Sequence, residues 1–357
     1  MIRLREKSFW RFLMIAIVLV AGICFISYYY YRLQTDNLFE EKQQELLAIA
    51  DLKIAQIVDW RNTRMAEANF ILENRVRRRQ IEQYLAGGSE SDIQYWMASF
   101  RRNFIFSGMY LVDLEWSVRI KDSLHDDTVS DVLRSMINRA YAEKRPIFSD
   151  FHTGKVGWGV HLDIVVPLFR ENEPAKPLCA IVLRLDPNQF IFPLIKSWPT
   201  PSKSAETVLV ERVGDEVVFI NELRHERSGP MQIRFPVSSR DLPAVMAVLG
   251  RTGVVEGKDY RGVPVVAAIR PVADTPWYVI AKIDRSEIYA PIKGYFIIAV
   301  TASALFSIIA LLVLFILERG GAYLEEMKNE EHYRETLDNM LEGCQIIGYD
   351  WNYKYVN

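Results

Sequence analysis

The chain has 357 residues, 43 Lys+Arg against 45 Asp+Glu and a formal net charge of −2, a balance that excludes a protein holding nucleic acid through a basic surface. At 50% hydrophobic and 25% charged residues it has material for packed cores and is not a mainly disordered protein. Cys24, Cys179 and Cys344 stand far apart in no metal-ligand spacing, which excludes a disulfide framework and a cysteine zinc site.

In chain order, residues 1–11 are a tail carrying Arg3, Arg5, Lys7 and Arg11. Residues 12–31 follow as 20 uncharged positions, long enough to cross a ~30 Å hydrocarbon core as a helix. They end in Tyr28, Tyr29, Tyr30 and Tyr31, an interfacial aromatic belt where a cleaved signal peptide would need small residues. Residues 294–317 are a second uncharged run, of 24 positions. The Lys/Arg excess before the first run keeps the N terminus in the cytoplasm, so residues 32–293 are expected outside and the C terminus inside. This predicts a two-span protein of the inner (plasma) membrane, with the lipid bilayer as a partner.

Neither Gly nor Pro occurs from position 23 to 85, and Leu46, Ile49, Ala50, Ile57, Trp60 and Ile71 fall near helical spacing. The pattern predicts one continuous helix over 36–86, ended by Gly87 and Gly88. Its basic run Arg75, Arg77, Arg78 and Arg79 reads as a solvated face. Residues 90–198 show strands at 105–112, 117–120 and 178–185, a helix over 129–141, and a strictly alternating strand. In that strand Val160, Leu162, Ile164 and Val166 face one way, and Gly159, His161, Asp163 and Val165 the other. Residues 204–284 form a smaller unit with strands at 207–211, 217–220, 253–256, 264–270 and 277–283 and a helix beginning at Asp241. The fold class is α+β with mostly antiparallel strands.

The stretches EGKDYRGVPVVAAIRPVADTPWYVIAKID (256–284) and PIFSDFHTGKVGWGVHLDIVVPLF (146–169), set in this layout, resemble the double Cache family of bacterial extracytoplasmic sensors. The resemblance implies a long N-terminal helix with two stacked PAS-like (Cache) modules beside it, a homodimer, and a small-molecule ligand in the membrane-distal module. There, His161 and Asp163 share a strand face, and Asp113 ends the strand carrying Tyr110. Asp150, His152 and Trp158 sit on the covering loop. Such groups orient a ligand in a concave site, or else they are solvent-facing strand and loop residues. The R-x-W-Y stretch of amino-acid-binding relatives is absent, which counts against an amino acid. His152, His161 and Asp163 make H-x8-H-x-D, a spacing that matches no recognised metal motif, so no metal and no cofactor are expected. Tyr260, Arg261, Trp277 and Tyr278 read as packing and turn residues.

Residues 318–340 are charged and helical, with Leu324, Met327, Leu337 and then Leu341 as an imperfect seam for a dimeric signalling helix. LDNMLEGCQIIGYDWNYKYVN (337–357) resembles the start of a PAS domain, cut short at Asn357. In relatives with this layout a PAS domain leads to a histidine kinase acting on a response regulator, or to a fused diguanylate cyclase/phosphodiesterase output. The wording favours the kinase, whereas a chemoreceptor would show a HAMP heptad pattern after 317. The chain has no Walker loop, G-x-S-x-G or H-E-x-x-H, so no catalytic residue is assigned. NELRH (221–225) reads as a surface turn.

Overall fold

The computed structural model describes residues 2–123, 129–154, 159–339, 345–347 and 353–356. They form two compact units, one of Leu38–Ile288 and one of Met1–Asn37 with Tyr289–Asn357.

Helix α1, Ile2–Glu73, runs through Gly22 and most of the Gly- and Pro-free stretch, but it does not run on to 86. Asn74 leaves the helical conformation at ψ 91°, and its side chain accepts from Arg77 N at 3.0 Å. A short polar side chain that bonds to nearby backbone ends one helix and caps the next. That next helix is α2, Arg75–Leu85. Arg75 and Arg79 are exposed, as expected, Arg79 in a two-pronged pair with Glu171 at 2.7 and 2.8 Å, while Arg77 is half-buried and lies over Trp96.

The first α/β module contains α3 (Ser91–Asn103), β1 (Gly108–Val112), β2 (Val118–Ser123), α4 (Asp131–Glu143), β3 (Ile147–Phe148), β4 (His152–Thr153), β5 (Val160–Phe169), β6 (Pro177–Leu185) and α5 (Ile191–Lys196). The sheet is antiparallel in the order β2-β1-β6-β5-β3, with β4 also on β5. The expected alternation holds. Leu162, Ile164 and Val166, with Ile181 and Leu183, pack with Ile57 and Ile71 of α1. Val165, Ala180 and Val182 pack with Leu133 and Ile137 of α4. Cys179 is a fully buried apolar member of β6.

The second module contains β7 (Glu206–Val213), β8 (Glu216–Phe219), β9 (Arg234–Pro236), α6 (Pro243–Val248), β10 (Gly253–Lys258), β11 (Pro264–Pro271) and β12 (Trp277–Asp284), followed by the short helix α7 (Arg285–Ile288). Its sheet runs β10-β11-β12-β7-β8-β9, with α6 on one face. The other face, through Leu209, Val266 and Val279, joins the same apolar cluster that α1 forms with the first module. Trp277, 1% exposed, packs there at 4.6 Å from the Phe151 ring. Lys282 is buried, and its Nζ lies 2.7 Å from Asp259 Oδ2 and 3.0 Å from Glu206 Oε2. Tyr260 Oη donates to Glu206 at 2.9 Å, and Arg261 bonds Asp259 and Asp284. These residues are packing and turn elements, as expected. The surface turn at 221–225 needs correction: Asn221 and Leu223 are buried, and Asn221 Oδ1 accepts from Leu209 N at 2.7 Å.

In the other unit, helix α8 spans Ala290–Asp338, and β13 (Gln345–Ile347) pairs antiparallel with β14 (Tyr353–Val356). Val300–Leu337, whose most apolar window has a mean hydropathy of 2.8, is the one helix among the described residues long and apolar enough to cross a bilayer. Residues 12–31 lie within α1, several of their side chains outside the described set.

Glu211 on β7 is 5% exposed, and burial, reinforced by the Asp150 charge and opposed by Arg234, pushes its carboxyl up to about 7. A carboxyl whose folded pKa is raised favours the folded state below its unfolded value of 4.5, and that contribution is lost as pH rises to about 7. Melting of the wild type and Glu211→Gln between pH 4 and 8 should therefore show a wild-type advantage that shrinks over that window; a constant difference contradicts the assignment.

Candidate ligand-binding site

The α4-facing side of the first sheet is where the alternation of β5 and β6 places polar groups among apolar ones. Asp163 on β5 stands directly opposite Arg184 on β6. Asp163 is fully buried and Arg184 is 8% exposed. Arg184 Nε donates to Asp163 Oδ1 at 2.9 Å and a terminal guanidinium nitrogen to Oδ2 at 3.1 Å. An ionised pair this deep survives only when each charge is matched and hydrogen-bonded. The guanidinium carbon also sits 5.3 Å over the ring of Tyr110 on β1. Gly108 makes room for that ring, because a Cβ there would run into Tyr110 Oη. Ser149 closes the other side. Its N–H donates to the Asp163 carbonyl and its Oγ accepts from Asp163 N, both at 2.8 Å.

Two histidines converge on the same carboxylate. The β4 and β5 pairing sets His152 opposite His161, with ring centroids 4.2 Å apart. His152 Nε2 lies 3.2 Å and His161 Nε2 3.9 Å from Asp163 Oδ2. His152 Nδ1 is 3.0 Å from the Asp150 carbonyl and His161 Nδ1 3.2 Å from the Gly159 carbonyl. Carbonyls only accept, so each Nδ1 carries the hydrogen and each Nε2 is directed at the carboxylate. Burial works against charge on both rings. In His152 the Asp163 bond and charge outweigh it and raise the pKa, whereas in His161 burial, helped by Arg184 and His152, lowers it. Burial pushes the Asp163 carboxyl up, but the His152 bond and Arg184 hold it well below the usual carboxylate range.

Of the seven residues read from sequence, His152, His161 and Asp163 come together with Tyr110 beside them. Asp113 is engaged in the β1–β2 turn, where Oδ1 accepts from Glu115 N at 3.0 Å and Ser117 N at 2.8 Å. Asp150 supplies its carbonyl to His152 while its exposed side chain turns to a neighbouring cavity. Trp158 lies outside the described residues. Arg184 was missed. Its signal was a lone charge in the apolar strand LCAIVLRL, which requires a buried partner. The neighbouring cavity has a volume of about 710 Å³ and is lined by Arg61, Arg139, Arg145, Ser149, Asp150 and Trp277, among others. Arg61 Nε is buried there without a hydrogen-bond partner among the described residues.

No family model and no curated protein matches the chain. Similar solved structures are sensory domains of bacterial chemoreceptors. The ligand-binding domain of the Pseudomonas aeruginosa amino acid chemoreceptor PctB, in complex with L-Arg, is 17% identical, covering 70% of this chain and 98% of that one at TM-score 0.48. The sensory domain of Campylobacter jejuni chemoreceptor Tlp3 with isoleucine bound is 12% identical, covering 71% and 97% at TM-score 0.49. The ligand-binding domain of Pseudomonas fluorescens chemoreceptor CtaA with L-serine is 12% identical, covering 69% and 99% at TM-score 0.48. At such identities and TM-scores these likenesses assign no ligand to this chain.

Ser149→Ala should cost about 1–3 kcal/mol by leaving the buried Asp163 N–H unmatched. Denaturant or thermal unfolding of the two proteins checks this, and equal stability would mean that the amide finds another acceptor.

Proposed function

We propose that the chain is the sensory part of a two-span membrane receptor. Residues 32–293 form an extracytoplasmic double Cache domain that binds a small molecule on the α4 face of the first, membrane-distal module. The observation that carries this reading is the buried Asp163–Arg184 pair with His152 and His161 gathered on its carboxylate, a concentration of polar groups the sheet does not need for its own packing. The three guanidiniums and two carboxylates around the adjoining cavity favour a ligand with an anionic group. The two uncharged runs at 12–31 and 294–317 support the spans, and the resemblance at 146–169 and 256–284 supports the domain type.

The receptor works by population shift: ligand favours one of two packings of the sensor, and the covalently continuous α1 and β12–α7–α8 segments pass the change across the bilayer in a homodimer. The output is a PAS-linked histidine kinase of a two-component system. A chemoreceptor has the same kind of outer domain, but the β13–β14 hairpin after α8 favours a PAS domain over a helical HAMP continuation. A diguanylate cyclase/phosphodiesterase output is compatible with the same PAS start.

The test is thermal melting of the full chain in detergent against small carboxylates, amines, amino acids and nucleobases. A ligand at 100 times its Kd stabilises the folded state by about 2.7 kcal/mol. A saturable rise in Tm, abolished by Arg184→Met or His161→Ala, is expected. A rise that both variants retain would place the ligand elsewhere.

A further inference from the structure

The geometry points to a divalent transition-metal site of the zinc class formed by His152, His161 and Asp163, with coordination positions left open for an exogenous anionic ligand. The antiparallel register His152↔His161 puts two imidazoles side by side, and Asp163 follows two residues along on the same face of β5. The three donor atoms lie within 4.8 Å of one another, with Nε2 to Oδ2 separations of 3.2 and 3.9 Å. Donors about 2.0–2.1 Å from a tetrahedral ion stand roughly 3.3 Å apart, so small rotations of two rings suffice to close the set.

The outer shell is already that of a metal site. Each histidine is held through Nδ1 by a backbone carbonyl, Asp150 for one and Gly159 for the other. That arrangement turns both Nε2 lone pairs toward the cluster, as the outer shell does in metal-bound imidazoles. Arg184 fixes the carboxylate plane from behind. His152 carries a further constraint: both its nitrogens face oxygen acceptors, so Nε2 must share a proton or a cation with Oδ2.

Two imidazoles and one carboxylate suit zinc, cobalt, nickel or copper, whereas calcium and magnesium take oxygen ligands. Because Arg184 already balances Asp163, a bound ion keeps its two positive charges. The open positions therefore favour a small anion, which would make the metal part of ligand recognition. The inference rests on the reading of this face as the ligand face.

The experiment is Co2+ titration of the full chain in detergent, carried on a histidine-free tag and stripped with chelator, read by visible d–d absorption and by competition with Zn2+. Uptake of one ion per chain is expected, lowered at least tenfold by His152→Gln and by His161→Gln. Both variants should keep a cooperative melt in metal-free buffer, and His152→Asn and His161→Asn replace them if either does not. No stoichiometric uptake, or uptake unchanged in the histidine variants, overturns the metal site and leaves a proton-held network. An organic ligand that stabilises the stripped chain would keep the sensor reading while removing the metal, so the two failures are distinct.

Discussion

The site depends on one buried ion pair. Asp163 and Arg184 face each other across β5 and β6 with little access to water, and desolvating two charges costs several kcal/mol each before their attraction is counted. The pair is tolerable because both carboxylate oxygens and two of the guanidinium nitrogens are hydrogen-bonded within it. Arg184 takes both carboxylate oxygens and lies over Tyr110, while Ser149 takes the Asp163 backbone. Two leucines of equal volume would hold the sheet with less penalty. The pair is therefore better understood as a fixed anchor whose carboxylate orients His152 and His161.

The second module shows what a purely structural version looks like. Lys282 is buried between Asp259 and Glu206, and Tyr260 and Arg261 complete the network. The charges and donors there are matched by neighbours within the module. The first-module cluster differs in that two imidazole nitrogens converge on one carboxylate oxygen from the same side. The two sheets share their α1-facing apolar cluster, in which the Phe151 and Trp277 rings are in contact.

Much of this was legible from residues alone. The alternation in VHLDIVVPLF gave the facing of His161 and Asp163, and the strands that were read fell within a few residues of their observed ends, although β9 (Arg234–Pro236) went unread. Three things were not legible. The helix break at Asn74 arises from a single side-chain cap with no Gly or Pro to announce it. Strands of two residues, Ile147–Phe148 and His152–Thr153, are too short to carry any period. The approach of His152 to His161 follows from hairpin register, which linear metal-motif spacings do not encode. Asp113 was read as a pocket group, yet an aspartate at a strand end also caps turns, and the backbone N–H groups of Glu115 and Ser117 claim it here.

The most direct measurement is a double-mutant cycle on Asp163→Asn and Arg184→Met, with unfolding free energies of the wild type, both single variants and the double variant. If the pair organises this face, each single change strands a buried charge or dipole and the double change relieves it, giving a coupling of about 2–3 kcal/mol. Single effects that simply add, within about 0.5 kcal/mol, would mean that the two residues act independently and that the site has no such anchor.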